Sequence, residues 1–208
     1  TTGTGDATKT VNPGTATFTS AVNDEGTDVL TITGAATGAV ITISGNVTVG
    51  NMTADKLTVD GTATVNGTAA VKSALYVNGT VNIISGKLTA EKDSFITGTV
   101  DAAVPSAESN YSGQADLGNM YVGISKDKKG NLAAGTAGTV SGNVSAKIAY
   151  VSTDSIVPED MTTGGSIVST QFYVDDELWM TAYTADASSN KAKVPNAPVT
   201  DAQFIGWN

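Results

Sequence analysis

The residues best placed to do chemistry in this sequence are three acidic groups: Asp24, Glu25 and Asp28; Glu159 and Asp160; and Asp175, Asp176 and Glu177. Two carboxylates suffice for glycoside hydrolysis, one as acid and one as base or nucleophile. Each group, however, lies in a Gly-, Pro- or turn-rich setting, where Asp is favoured for turn geometry alone. Asp24-Glu25-Gly26-Thr27-Asp28 comes nearest to a calcium loop but lacks the alternating oxygen ligands such a loop needs. There is no His and no Cys, and all 11 basic residues are Lys. That removes the conventional zinc, copper and iron ligands and every Ser-His or Cys-His nucleophile. No glycine-rich phosphate loop follows a strand and opens a helix. The chain therefore reads as a non-enzyme, with no catalytic residue, cofactor or metal expected.

Charge and composition narrow the partners. The net charge is −9, and without Arg there is no basic stripe to neutralise nucleic-acid phosphates or anionic lipid. No apolar run approaches the ~18 residues of a membrane helix. Charged residues make up only 15%, against about 25% in ordinary soluble domains. Thr, Val, Ala and Gly dominate, and β-branched side chains suit a pleated surface. A chain opening on Thr1 rather than Met reads as a processed or trimmed form. Together these features point to a secreted or cell-surface protein.

The elements that must position any site come from a repeat. Apolar–Thr–apolar units are closed by Gly34, Gly45, Gly50, Gly61, Gly67, Gly79, Gly86 and Gly98, at gaps of 11, 5, 11, 6, 12, 7 and 12. Long and short gaps alternate, so pairs of units form a motif of 16 to 19 residues that occurs about four times. A unit that cannot bury its apolar face alone does so by stacking on its neighbours, which is the signature of a solenoid. Glycine, alone or as Asn-Gly and Asp-Gly, suits corners that need φ > 0. The expected interior includes Leu30, Ile32, Val40, Ile43, Val47, Val49, Leu57, Val59, Val65, Val71, Leu75, Val77, Val81, Ile83, Leu88, Phe95 and Ile96, with Thr residues outside.

Four regions follow. Residues 1–28 form an extended N-terminal segment, a cap or a donor strand, in which Thr15, Thr17, Phe18 and Val22 are the candidate assembly residues. Residues 29–103 are the short parallel β-solenoid, and residues 104–164 a linker and β-hairpin region after the break at Val104–Asn119. Residues 165–208 differ in texture and hold both tryptophans, with strands expected around an Asp175-Asp176 turn.

That last region carries Pro195-x-x-Pro198 and then Phe204-Ile205-Gly206-Trp207. It resembles the Listeria–Bacteroides repeat, a small β-grasp-like module of secreted and cell-wall proteins with a Pro-rich link and a closing apolar-x-Gly-Trp step. The resemblance covers about a fifth of the chain. It implies an interaction or spacer module rather than a catalyst. The family continues into a further strand beyond Gly-Trp, whereas this sequence stops at Asn208. The body is also similar in outline to parallel β-helix lyases. Those are much longer and use acidic clusters with calcium and a basic catalytic residue, commonly Arg, which this chain lacks.

Two surface chemistries remain. Asn-X-Ser/Thr acceptors occur at Asn46, Asn51, Asn66, Asn78, Asn110 and Asn143, as candidate glycosylation sites. Trp179 and Trp207 are candidates for a sugar platform, although aromatics alternating with polar residues, as here, belong first to a core. The sequence thus predicts an all-β structural protein: a solenoid, a β-rich middle and a β-grasp-like C-terminal module. It would self-assemble by strand pairing into a filament, sheath or surface layer, with copies of itself as partner. The alternative is an adhesin or carbohydrate-binding module of a larger surface protein, with cell-surface glycans as partner.

Overall fold

The structure is a computed structural model, and it describes residues 14–18, 39–103, 112–127, 130–159, 161 and 167–185. These residues are all-β, with no helix among them, and so none long and apolar enough to cross a membrane. The strands begin with β1 (Gly14–Phe18), β2 (Ala39–Ile43), β3 (Asn46–Val49), β4 (Met52–Val59), β5 (Thr62–Val65) and β6 (Thr68–Val77). Next come β7 (Thr80–Ile83), β8 (Lys87–Ala90), β9 (Asp93–Ile96), β10 (Thr99–Ala102), β11 (Gln114–Asp116) and β12 (Asn119–Val122). The last are β13 (Ile124–Lys126), β14 (Leu132–Ala134), β15 (Thr139–Gly142), β16 (Val144–Ser145), β17 (Ile148–Ser152), β18 (Ile167–Val174) and β19 (Glu177–Ala185).

Parallel pairing arranges most of them in three stacks. The first runs β1-β2-β4-β6-β9-β12-β17, and the second β3-β5-β7-β10-β15. A third contains the first halves of β4 and β6, then β8, β11 and β16. The register of β4 against β6 shifts between Ala54 and Lys56, which lets each long strand serve two stacks. From Ala39 the chain visits the three stacks in fixed order, and each return adds a strand to each. Along the first stack Val40, Lys56, Ala74, Asp93, Asn119 and Ile148 lie side by side, at intervals of 16, 18, 19, 26 and 29 residues. The parallel register therefore continues well past Ala103, through the stretch expected to be linker and hairpin. That stretch does contain one antiparallel hairpin, β13–β14, inserted between β12 and β15. A second antiparallel pair, β18–β19, joins the first stack through β19 against β17.

Period-two alternation explains the core. Burial patterns such as eBiB in β3 and iBiB in β5, β7 and β8 turn every second side chain inward. Ile41, Leu75, Val49, Ile83, Val71 and Leu88, drawn from all three stacks, fall in one buried cluster. Two expected core positions need correction. Ile41 and Ile43 are fully buried, which leaves Val40 half-buried on the other side of β2. Ser94 and Ile96 take the inward positions of β9, so Phe95 points to the opposite face and is buried in a second cluster. Leu30 and Ile32 lie outside the described residues.

The glycines resolve into two columns of corners. Gly61 sits over Gly45, Gly79 over Gly61 and Gly98 over Gly79, while Gly67 sits over Gly50 and Gly86 over Gly67. None of these has a positive φ; among described residues that conformation belongs to Gly118, Gly123, Gly130 and Gly142 and to Asp175 and Asp176. The corner glycines are required by contact instead. A Cβ on Gly61, Gly67, Gly79, Gly86 or Gly98 would strike the backbone of the winding before it.

Among the described residues Ser94 is the one polar side chain buried in the core, and its hydroxyl has no hydrogen-bond partner there. It sits in register between Leu75 and Met120. An unmet buried hydroxyl costs roughly 1–3 kcal/mol. Ser94→Ala should therefore stabilise the fold by about 1 kcal/mol, read as a higher urea midpoint at unchanged slope.

Candidate interaction surfaces

The outward face of the first stack carries an aromatic column. Tyr76, Phe95, Tyr121 and Tyr150 occupy one register position on β6, β9, β12 and β17. Parallel pairing places identical positions side by side, so the rings stack: centroids lie 5.4, 4.7 and 4.8 Å apart at interplanar angles of 15°, 10° and 7°. Ile124 and Leu132 of the β13–β14 hairpin and Phe172, Met180 and Ala182 of β18–β19 join Phe95 and Tyr150 in the second cluster. Lys56 Nζ stands 4.7 Å over the Tyr76 ring and Lys126 Nζ 5.6 Å over Phe95. Lys126 also meets Asp93 at 3.8 Å, and Asn119 Nδ2 donates to Asp93 Oδ1 at 3.1 Å. The sequence hid this column because the intervals between its members grow from 19 to 26 to 29 residues.

Burial pushes the Tyr121 phenol up, helped by the Asp93 carboxylate and by Tyr150. Below the ordinary phenol value, about pH 10, folded and unfolded chains both hold the proton and this group gives no pH dependence. Above it the unfolded chain releases its proton first, and stability falls as pH rises until the folded phenol also ionises. Tyr121→Phe should flatten that alkaline loss. Urea midpoints measured from about pH 9 to about pH 11 check it.

A cleft of ≈ 350 Å³ lies between the β13–β14 hairpin and the β18–β19 turn. Trp179, Ser152, Asp154, Asp175 and Glu177 are among its lining residues. Asp175 and Asp176 form the turn with φ of 51° and 64°, the two left-handed positions that a two-residue hairpin loop demands. Glu159, Asp175, Asp176 and Glu177 are all exposed, while Asp24, Glu25, Asp28 and Asp160 lie outside the described residues. Among the described residues no three acidic side chains gather closely enough to hold a metal ion. Trp179 is half-buried and packs against the second cluster, Phe172 is buried in it, and Tyr173 is 51% exposed. Trp207, with Phe204 and the Pro195-x-x-Pro198 segment, lies outside the described residues.

Strand edges are the other surfaces. Thr15, Thr17 and Phe18 of β1 pair with Val40, Thr42 and Ile43 of β2 in the same chain; Val22 lies outside the described residues. At the opposite end β18 pairs with β19 along one edge only, among the described residues. Its sequence, IVSTQFYV, holds no charge, no Pro and no Gly. Ser169, Thr170, Gln171 and Tyr173 are exposed.

The acceptor asparagines fall at corners and strand ends. Asn46, Asn51, Asn66, Asn78 and Asn143 are exposed, and Asn110 lies outside the described residues. Two of them brace neighbouring windings. Asn51 Oδ1 accepts from Thr68 N at 3.1 Å; Asn78 donates to Asp60 Oδ1 at 2.8 Å and accepts from Thr97 Oγ1 at 3.1 Å. Searches of family models, of curated proteins and of solved structures find no match to this chain.

Proposed function

We propose that the chain is a secreted or cell-surface structural protein, wound as a short β-solenoid, that assembles through strand pairing into a filament, sheath or surface layer. The observation that supports it most is the β18 edge. Edge strands are ordinarily guarded by Lys, Pro or bulges. This one holds neither Lys nor Pro, and the register shift it carries, between Phe172 and Tyr173, leaves the uncharged stretch 167–172 regular at the end of a 12-stranded sheet. The β1 edge closes the other end of that sheet. Pairing of β18 with β1 of the next copy propagates a filament, whereas β18 with β18 closes a two-fold dimer. The C-terminal region, read as β-grasp-like by its resemblance to Listeria–Bacteroides repeats, is then the contact module rather than a spacer.

Sedimentation velocity and negative-stain microscopy of the full chain over a range of concentrations test this. Polymers or dimers are expected, and Ser169→Lys with Gln171→Lys should abolish them while circular dichroism stays unchanged. A monomer at every concentration overturns the assembly. A second reading, an adhesin or carbohydrate-binding module, is favoured by the position of Trp179 beside polar groups in the cleft. It requires glycan-array binding that Trp179→Ala removes.

A further inference from the structure

The second stack presents a regular two-column array on its outer face. In the first column Asn46, Thr62, Thr80, Thr99 and Thr139 lie side by side on five successive strands. In the second, Thr48, Thr64, Asn82, Asp101 and Ser141 do the same. The residues between them (Val47, Ala63, Val81, Val100 and Val140) are buried in the core, so both columns face outward. Neither antiparallel hairpin pairs with this stack. No hydrogen bond to a described residue engages the hydroxyls of Thr48, Thr62, Thr64, Thr80, Thr99 or Thr139.

The spacing of such an array is fixed by the backbone. Neighbouring strands lie about 4.8 Å apart, and residues two apart on one strand about 6.6 Å. The first is close to the shorter oxygen repeat on the prism face of ordinary ice, and the second falls somewhat short of the longer one. Each Thr offers a hydroxyl to hold a water molecule and a methyl group beside it to order the next. The backbone ladder and the packed corner glycines beneath hold the array rigid, so little conformational entropy is lost on contact. Charge points the same way. The chain carries −9, yet this face holds a single carboxylate, Asp101, bound by the Ser141 hydroxyl at 2.7 Å. A nearly neutral face matches a neutral lattice and fits neither a basic partner nor an acidic one.

We propose that the Thr columns of β3, β5, β7, β10 and β15 form an ice-binding face, with the ordered water lattice as its ligand. This role is independent of assembly through β18. The test uses the full chain carrying the Ser169→Lys and Gln171→Lys substitutions as well as the unmodified chain, so that loss of assembly and loss of ice binding are read separately. Thermal hysteresis and ice recrystallisation are measured at micromolar to millimolar protein. Hysteresis with faceted crystals is expected, and Thr64→Tyr with Thr80→Tyr should reduce it to the level of buffer. Thr58→Tyr, on the first stack, should leave it unchanged, and circular dichroism should report the same fold for all. Absence of hysteresis and of recrystallisation inhibition at every concentration overturns the proposal, as does full activity in the Thr64/Thr80 variant. If that variant instead changes only the sedimentation coefficient, the face is a contact between copies and the ice-binding role falls.

Discussion

Gly79→Ala is expected to cost about 3 kcal/mol or more, at or beyond the upper end of overpacking losses. Most Gly→Ala changes at compatible sites act the other way, adding roughly 0.4–1 kcal/mol by restricting the unfolded chain. The difference lies in what the new methyl meets. At Gly79 it falls on the Gly61 carbonyl oxygen, with Asp60 O at 2.6 Å and Asp60 C at 2.7 Å. All three are backbone atoms of the preceding winding, so no rotamer change relieves the clash. The corner must move, and it is held by Gly79 N to Val59 O at 2.9 Å and Thr80 N to Gly61 O at 2.8 Å. Thr99 N in turn bonds Gly79 O at 2.8 Å, which passes the displacement to the next winding. Gly130→Ala makes the comparison. Its nearest neighbour would be Lys126 Cε at 3.6 Å, but its φ of +89° is unfavourable to a side chain. That change should cost only about 1–2 kcal/mol, from the backbone alone. Urea midpoints of the two variants settle the ordering, and equal losses would refute a contact origin for the corner glycines.

The glycine gaps show how much of the fold the sequence carried. Their alternation of long and short is the alternation between two corners, one through Gly45, Gly61, Gly79 and Gly98 and the other through Gly50, Gly67 and Gly86. The positions were legible, but the physical cause was not. Close approach between windings and a positive φ both select glycine, and only the path of the folded backbone separates them. The parallel registry beyond Ala103 was hidden for a different reason. The β13–β14 hairpin and the segment before Ser112 lengthen two intervals of the first stack to 26 and 29 residues, and a search for a fixed period stops there. Period two also leaves open which side of a strand is inward. In DSFI three consecutive residues, Ser94, Phe95 and Ile96, are buried, and hydrophobicity alone assigns Phe95 to the core and Ser94 to the surface. The structure buries both: Ser94 faces the main core, and Phe95 is buried on the opposite face, where the β13–β14 hairpin makes a second interior. The candidate surfaces were legible only in part. Outward Thr positions followed from the alternation and the acceptor asparagines from their tripeptides, whereas the β18 edge and the Trp179 cleft depend on pairings that no local pattern reports.

The second interior should be separable from the first, and Phe95→Ala is the change that separates them. Phe95 is 3% exposed and lies between the rings of Tyr76 and Tyr121 at 5.4 and 4.7 Å. Truncating a buried Phe costs about 3–5 kcal/mol. Each lost aromatic pair accounts for roughly 0.5–1.5 kcal/mol beyond the area buried. The loss should be local. Ser94 and Ile96, on either side, face the main core and keep their register with Leu75, Met120, Val77 and Val122. The parallel ladder beneath is therefore expected to stay intact. What the truncation removes is the surface on which Ile124 and Leu132 rest, and with it the anchor of the β13–β14 hairpin. Lys126 also loses the ring beneath it and keeps only Asp93 at 3.8 Å, a partly exposed pair of little worth. Hydrogen exchange should thus accelerate first across Ile124–Ala134, while amides of β7 and β10 remain as protected as before. Phe95→Leu, which refills much of the volume but not the stack, should fall between the two proteins in both stability and exchange. Uniform acceleration across all three stacks would show instead that the two interiors unfold as one, and that the hairpin is part of the stability of the parallel stacks rather than a cover laid upon them.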